Sequence, residues 1–378
     1  MPAVPKAVGS DRAEPGSSAP TSRLRPDGSS VVADPTAASA LHGRGSYGNI
    51  VEGGALELDP LETTYLCEME RLRVQTGPSP GPGEPCSFRT LLSEAHGRDT
   101  AFEIRYLVYR DLRQRGYVVL RGPPPAEFSL LPRGGTPPKT PSRWWVESRS
   151  ERVPFSLAEL SEHLQGVRAA RRTLLVGIID EESDLTYYRV RDVVPHGECP
   201  PPVAGSRSEG LVLGDRVSIF DPAEASALDQ AEHYGSRIGT RLELSLLEAL
   251  YLVGEDRLTL RAAEGGGPLT ASEFEQKARR TEPDLPTRLP VYRHLRAQGL
   301  VPKTGFKYGA HFRAYERDPG STHARYLVHV VPPNWETPWP EVARAIRLAQ
   351  GVKKQLLFAS VPTEGGPPHY LHLERTRP

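Results

Sequence analysis

The chain predicts a mixed α/β fold built as a tandem duplication of one two-lobed unit. Two observations carry that prediction: short motifs recur in order at a nearly constant offset, and helix-spaced apolar residues alternate with short β-rich runs inside each copy. Asp34-Pro35 returns as Asp221-Pro222, Tyr47-Gly48 as Tyr234-Gly235, and Leu56-Glu57-Leu58 as Leu242-Glu243-Leu244. Leu61-Glu62 closing on Tyr65-Leu66 returns as Leu247-Glu248 closing on Tyr251-Leu252. Val108-Tyr109-Arg110, Leu112-Arg113 and Gly116 return as Val291-Tyr292-Arg293, Leu295-Arg296 and Gly299. Asp34 and Asp221 are 187 positions apart, Val108 and Val291 are 183 apart, and no solenoid period is that long. A whole globular unit has been copied.

Each copy opens on a short strand (Ser30–Ala33; Arg216–Phe220), followed by a small Ala/Ser-rich helix. Apolar residues at 242, 246, 249, 250 and 253 have helical spacing. Ser245 and Glu248 form the Ser-x-x-Glu pattern of a capping box, so a helix is expected to begin there. Asp59-Pro60 does the same work in the first copy, with Pro at the first helical position. A second helix ends in each Tyr-Arg-x-Leu-Arg segment and stops at Gly116 or Gly299. Beyond it, Gly309–Tyr315 is expected to pair with Ala324–Val331 across a turn at Asp318-Pro319-Gly320. A helix from Pro340 to about Val352 and a strand Leu356–Val361 complete the second copy.

The organisation reads as a disordered Pro/Ser/Gly/Ala-rich tail at 1–26, a first repeat at 27–193 and a linker at 194–208. The second repeat follows, with an N-terminal lobe at 209–300 and a C-terminal lobe at 301–378. Gly77–Pro85, Pro123–Pro125 and Thr136–Pro141 read as loops. Over 378 residues, 47 Lys and Arg balance 47 Asp and Glu, which argues against a general nucleic-acid-coating polycation but not against a local basic cleft. Three scattered cysteines, no membrane-length apolar run and no signal-peptide core lead to the expectation of a soluble, cytoplasmic protein.

The chemistry-bearing residues crowd into 303–354. Lys307, Tyr308, His311, Arg313 and Tyr315 are followed by His323, Arg325 and His329, then by Arg347, Lys353 and Lys354. A hairpin and a neighbouring helix end could gather a phenol, an imidazole and an ammonium. No Asp/Glu pair with a nearby Lys suggests a Mg²⁺-dependent nuclease, and no phosphate loop or nucleophile elbow is present. Tyr, His and Lys without a metal suit attack of an RNA 2′-hydroxyl on the adjacent phosphate. The attacking oxygen loses a proton, the 5′-oxygen gains one, and a cation sits beside the pentacoordinate phosphate.

The pattern Gly305-x-Lys307-Tyr308-Gly309-x-x-Phe312-Arg313-x-Tyr315, then His323, then Arg347-Leu348-Ala349-x-x-Val352-Lys353-Lys354, resembles the archaeal tRNA-splicing endonucleases. The resemblance is to their fused two-repeat form, over roughly residues 27–378. It implies a restriction-nuclease-like α/β C-terminal lobe in each repeat, and Tyr315 as general base, His323 as general acid and Lys354 as transition-state stabiliser. It further implies excision of introns from precursor tRNA at both splice sites of a bulge–helix–bulge motif. The ends would be 2′,3′-cyclic phosphate and 5′-hydroxyl, formed with no metal or other cofactor. Arg347, with Arg375 as a candidate second partner, would clamp a bulged base. The working form would be a homodimer with two sites, docked through the acidic loop Asp180-Glu181-Glu182-Ser183. Tyr308 is the runner-up base, but relatives carry Phe there.

In the first copy, Leu130–Gly135 stands where the Phe-Arg-x-Tyr strand should run, Pro141 falls near the histidine position, and Arg171-Arg172 aligns with Lys353-Lys354. Taken singly, Tyr315 reads as a packed strand tyrosine, His323 as an exposed turn residue and Lys353-Lys354 as a helix C-terminal pair; their joint order and the worn upstream twin favour a site. His311 and His329 read as structural, with His329 sharing a strand face with His323. Two other classes remain open: a non-catalytic tRNA-binding or structural subunit, and a metal-dependent DNA nuclease.

Overall fold

The computed structural model describes residues 19–77, 83–200 and 207–378. Most of the expected tail, the middle of the Gly77–Pro85 loop and part of the linker lie outside the described residues. The chain divides into two units, one running to Arg149 with Glu182–Leu185, the other comprising Ser150–Glu181 and Thr186–Pro378.

In the first unit the elements follow as β1 (Thr21–Leu24), β2 (Ser30–Val32), α1 (Pro35–Gly45), β3 (Asn49–Ile50), β4 (Leu56–Leu58), α2 (Pro60–Glu68), β5 (Arg73–Thr76), β6 (Glu84–Cys86), α3 (Phe88–Arg98), α4 (Phe102–Gln114), β7 (Val119–Arg121), β8 (Phe128–Leu130) and β9 (Trp144–Ser150). The first six strands form a sheet ordered β3-β4-β2-β1-β5-β6, and β8 pairs antiparallel with both β7 and β9.

The second unit opens with β10 (Phe155–Ser156), α5 (Leu157–Ala169), β11 (Thr173–Ile179) and β12 (Leu185–Asp192). An N-terminal lobe follows: β13 (Ser208–Leu213), β14 (Arg216–Ile219), α6 (Pro222–Ser226), β15 (Ser236–Ile238), β16 (Arg241–Ser245), α7 (Leu246–Gly254), β17 (Leu258–Ala262), β18 (Pro268–Leu269) and α8 (Ala271–Thr281). The last lobe holds α9 (Leu285–Ala297), β19 (Val301–Thr304), β20 (Phe312–Tyr315), β21 (Tyr326–Val330), β22 (Glu336–Thr337), α10 (Trp339–Gly351), β23 (Gln355–Ser360) and β24 (His369–Thr376). The sheet order β15-β16-β14-β13-β17-β18 reproduces that of the first lobe strand for strand. Seven strands then run β19-β20-β21-β23-β24-β12-β11. The final strands of the two repeats are therefore neighbours, antiparallel from Tyr187↔Thr376 to Asp192↔Leu371.

The motifs that recur in the sequence build the same cluster twice. Asp59 and Ser245 cap α2 and α7 in complete capping boxes with Glu62 and Glu248. Tyr47 stacks on Tyr65 at 6.4 Å and Tyr234 on Tyr251 at 6.2 Å between ring centroids. Arg113 lies 3.9 Å from the centre of the Tyr47 ring, and Arg296 lies 4.3 Å from that of Tyr234. Each buried guanidinium also donates to a main-chain carbonyl, Gly45 O at 2.8 Å or Glu232 O at 3.1 Å. These recurring residues thus build the same caps and aromatic packing in both repeats. Ser245→Ala should cost about 1 kcal/mol of stability; a urea midpoint unchanged from wild type would contradict the cap.

Three sequence expectations shift. Thr21–Leu24, inside the expected tail, is a central strand: β1 pairs antiparallel with β2 and parallel with β5. Its polar residues hide it because backbone pairing on both edges, not side-chain burial, holds it. Leu242 lies on β16, and the helix begins only at Leu246; both apolar stretches meet the same core, so they read as one periodic run. Finally, the linker is pinned where it is described. Gly197 N donates to Gln298 O at 2.8 Å, Glu198 N to Glu316 O at 2.7 Å, and Cys199 N to Gly299 O at 3.0 Å. Arg317 grips the Glu198 carboxylate with two bonds of 2.8 and 2.6 Å.

Candidate active site

Strand register brings Tyr315, His323 and Lys354 to one end of the sheet. In the β19–β20 hairpin Val301 faces Tyr315, and across β20–β21 Ala314 faces Tyr326. Arg325 N donates to Ala314 O at 3.1 Å, which continues that ladder one step. Parallel β21 and β23 set Tyr326 opposite Gln355, and Gln355 N donates to Arg325 O at 2.9 Å. Tyr315, Arg325 and Lys354 are consequently adjacent rows of the sheet end, with His323 two residues ahead of Arg325.

Each side chain is delivered by local chemistry. Asp318 builds the turn before His323: its carboxylate accepts from Gly320 N at 2.8 Å, and its carbonyl accepts from Ser321 N and Thr322 N. Lys354 follows a Schellman-type stop to α10. Lys353 takes the left-handed conformation (φ 55°), its N–H reaches Gln350 O, and Lys354 N reaches Ala349 O at 2.9 Å. Tyr315 is buried against Val301, Ala324 and Cys199, and the Arg313 guanidinium lies 5.6 Å from its ring centre. His323 is exposed and Lys354 half-buried. Among the described residues no hydrogen bond or ion pair joins Tyr315, His323 and Lys354 to one another. The Lys354 ammonium instead stands 5.5 Å from the centre of the Tyr308 ring, a contact that sequence spacing did not reveal. Cys199 and its pinned segment, beside Tyr315, also escaped the sequence, because nothing in a Pro/Gly-rich connector marks where it will lie.

Arg347 and Arg375 are both exposed, on α10 and β24, and α10 also touches β24 where Gln350 Nε2 donates to Arg375 O at 3.2 Å. Burial raises the Tyr188 phenol, and the charges of Arg375 and Arg347 both oppose that shift; the two guanidinium groups thus share one neighbourhood. His329 lies elsewhere. It is the fourth residue of β21, about 13 Å along the strand from Arg325 at ~3.3 Å per residue. Its ring stacks on Phe358 at 5.7 Å. Burial, reinforced by His311, pushes its imidazole down to about 4. His311 is likewise lowered by burial, and its Nδ1 accepts from Val330 N at 3.0 Å. Both are partly buried, and burial disfavours the charged form of each. Among the described residues no group of three or more His, Cys, Asp or Glu side chains is placed to hold a metal ion.

The first repeat holds different residues at the matching positions. Leu131 N donates to Val118 O at 3.2 Å and Val119 faces Leu130, so Leu131, not a residue of a longer 130–135 strand, stands at the Tyr315 position. Phe128 faces Val146 as Phe312 faces Val328. Arg143 N donates to Leu130 O as Arg325 N does to Ala314 O. Counting back two residues puts Pro141 at the His323 position. Arg171 repeats the left-handed turn of Lys353 (φ 55° in both), and Arg172 N bonds Val167 O at 2.9 Å, the counterpart of Lys354. The positions matching Tyr315 and His323 thus hold Leu131 and Pro141, while the position matching Lys354 holds another cation, Arg172.

Comparison with known proteins agrees with this duplicated frame. The family described as tRNA intron endonuclease, catalytic C-terminal domain, matches residues 102–187 and 285–367, and the corresponding N-terminal domain matches 26–85 and 208–275. The chain belongs to the tRNA intron endonuclease family. A tRNA-splicing endonuclease of Methanosarcina mazei is 34% identical over 354 residues, covering 93% of this chain and 97% of that protein. One from Methanosarcina acetivorans is 34% identical over 355 residues, covering 93% and 98%. One from Halobacterium salinarum is 30% identical over 361 residues, covering 89% and 94%. Both family domains occur twice, in the order the internal repeat requires, and the catalytic C-terminal domain of the second occurrence holds Tyr315, His323 and Lys354.

Proposed function

We propose that this tRNA-intron endonuclease excises introns from precursor tRNA by metal-independent acid–base chemistry, cutting both splice sites of a bulge–helix–bulge. The observation that carries this reading is the contrast between repeats: Tyr315, His323 and Lys354 gather at one sheet end, where the first repeat has Leu131, Pro141 and Arg172. Tyr315 takes the 2′-hydroxyl proton as the 2′-oxygen bonds to phosphorus. The bond from phosphorus to the 5′-oxygen breaks, His323 gives that oxygen its proton, and Lys354 neutralises charge on the non-bridging oxygens. The products are a 2′,3′-cyclic phosphate and a 5′-hydroxyl. Arg347 and Arg375 stack on a base turned out of the helix. Cleavage in excess chelator, with a 2′-deoxy nucleotide at the scissile position abolishing it, tests the scheme; dependence on added Mg²⁺ would overturn it.

A second reading places the base at Tyr308, favoured by its contact with Lys354. The ammonium lies over the ring, however, and a ring face positions a cation without exchanging a proton. Tyr308→Phe should therefore retain cleavage within a few-fold, whereas Tyr315→Phe should lose about 100-fold or more; the reverse pattern would move the base to Tyr308.

One live site per chain and two cuts per intron call for two chains, so the working form is a homodimer. The acidic turn Asp180–Ser183, between β11 and β12, is the docking element for a basic cleft of the partner. Reversing the charge of Asp180 and Glu181 should shift the mass measured by light scattering from dimer to monomer. A dimer unchanged by the reversal would remove the loop from the interface. Among the described residues no helix is long and apolar enough to cross a membrane.

A further inference from the structure

Outside the reaction, the two repeats differ at the partly buried position of Lys303. In the second repeat the Lys303 ammonium donates to Gly235 O at 2.8 Å and lies 3.5 Å from Glu248 Oε1. Burial lowers that ammonium, and Glu248 counters the shift. The first repeat keeps both acceptors. Gly48 N donates to Glu62 Oε1 at 2.8 Å, as Gly235 N does to Glu248 Oε1 at 3.0 Å. Gly48 and Gly235 share one left-handed backbone, φ 58° and 60°, and a Cβ on either would collide with a main-chain carbonyl oxygen of the neighbouring strand, Glu57 O or Glu243 O. The donor is missing: Leu120 faces Ser129 in the register where Lys303 faces Arg313.

Where the lysine would lie there is room. Gly48, Glu62 and Leu120 line a cavity of about 1050 Å³, together with Asp59, Tyr109 and Glu127. A buried carboxylate without a cation is costly. Burial, then the neighbouring Asp59 charge, pushes the Glu62 carboxyl up to about 7, and Arg113 only partly offsets this. Burial raises Glu127 on the same cavity wall as well. Arg98, Arg105 and Arg121 also line the cavity, but Arg121 pairs with Asp59, Arg105 with Asp99 and Arg98 with Glu94, which leaves Glu62 and Glu127 as two desolvated carboxylates that match a cation with two heads.

We propose that this cavity of the first repeat binds a small alkyl diamine or polyamine, one primary ammonium taking the place of Lys303 between Gly48 O and Glu62. The ammonium supplies the N–H donors that Leu120 lacks, and its chain lies along the apolar wall. The degenerate repeat would then hold a ligand site where the active repeat holds its own side chain.

The test titrates putrescine into the full-length protein, followed by calorimetry and by melting temperature, with tetramethylammonium chloride at equal ionic strength as the control that carries charge but no N–H. Saturable putrescine binding with a raised melting temperature, and no response to tetramethylammonium, is expected. Leu120→Lys should abolish binding and melt above wild type without amine, since it restores the internal ammonium. Glu62→Gln should weaken binding tenfold or more; should that variant unfold through loss of its capping box, Leu120→Lys still decides. Absence of saturable binding, an equal response to tetramethylammonium, or full putrescine affinity in Leu120→Lys would overturn the proposal.

Discussion

His323→Ala should lower the single-turnover rate of precursor-tRNA cleavage by about two orders of magnitude or more, the range that one positioned acid contributes. The loss should fall on the rate and not on RNA binding, because His323 is exposed in a turn that Asp318 holds by backbone bonds, and the imidazole supports none of them. A substrate with a 5′-thio leaving group, which needs no proton to depart, should recover most of the lost rate. Equal loss on both substrates would show that the histidine positions RNA instead of donating a proton. Undiminished cleavage of the natural substrate would remove His323 from the site.

Trp339→Ala should cost about 3–5 kcal/mol, the range for deleting a fully buried aromatic side chain. Trp339 opens α10 and is 1% exposed. It meets Phe155 edge-on at 5.3 Å and stacks on Tyr188 at 5.6 Å, while Phe155 also touches Trp335 and Phe358. Phe155 and Tyr188 come from the first repeat and the other three rings from the second, so this is a core that neither repeat closes alone. Since α10 carries Arg347 and leads into Lys354, cleavage should fall with stability. Trp339→Phe should cost much less, because it keeps a ring and discards a buried Nε1–H that finds no hydrogen-bond partner among the described residues. A loss below about 1 kcal/mol in urea denaturation of Trp339→Ala would show that the shared core contributes little.

Much of this architecture was legible because its signals are local. The caps at Asp59 and Ser245, the stops at Gly116 and Gly299, and the Asp318 turn depend on residues a few positions apart, and each stands where its motif lies. The candidate site was read from the sequence for another reason: duplication supplied an internal comparison, with Leu130–Gly135 and Pro141 falling where the second repeat carries its polar residues. Hidden from the sequence were features that depend on partners distant along the chain. β1 is recognisable only from the strands on either side of it, Tyr308 as a neighbour of Lys354 only once the hairpin has folded over, and Gly197–Cys199 as a fixed segment only beside Gln298 and Glu316.

By itself the sequence determined that one α/β unit was copied, where its helices begin and end, and which copy kept the phenol, imidazole and ammonium. Those are matters of short-range capping, turn chemistry and residue identity. Tertiary structure alone decided that the last strands of the two repeats lie side by side, that five aromatic rings from both copies close one core, and that Glu62 kept its cradle without the lysine that fills the other. Strand pairing and burial join residues as far apart as Tyr188 and Arg375, and no periodicity in a single chain encodes which distant surfaces must exclude water together.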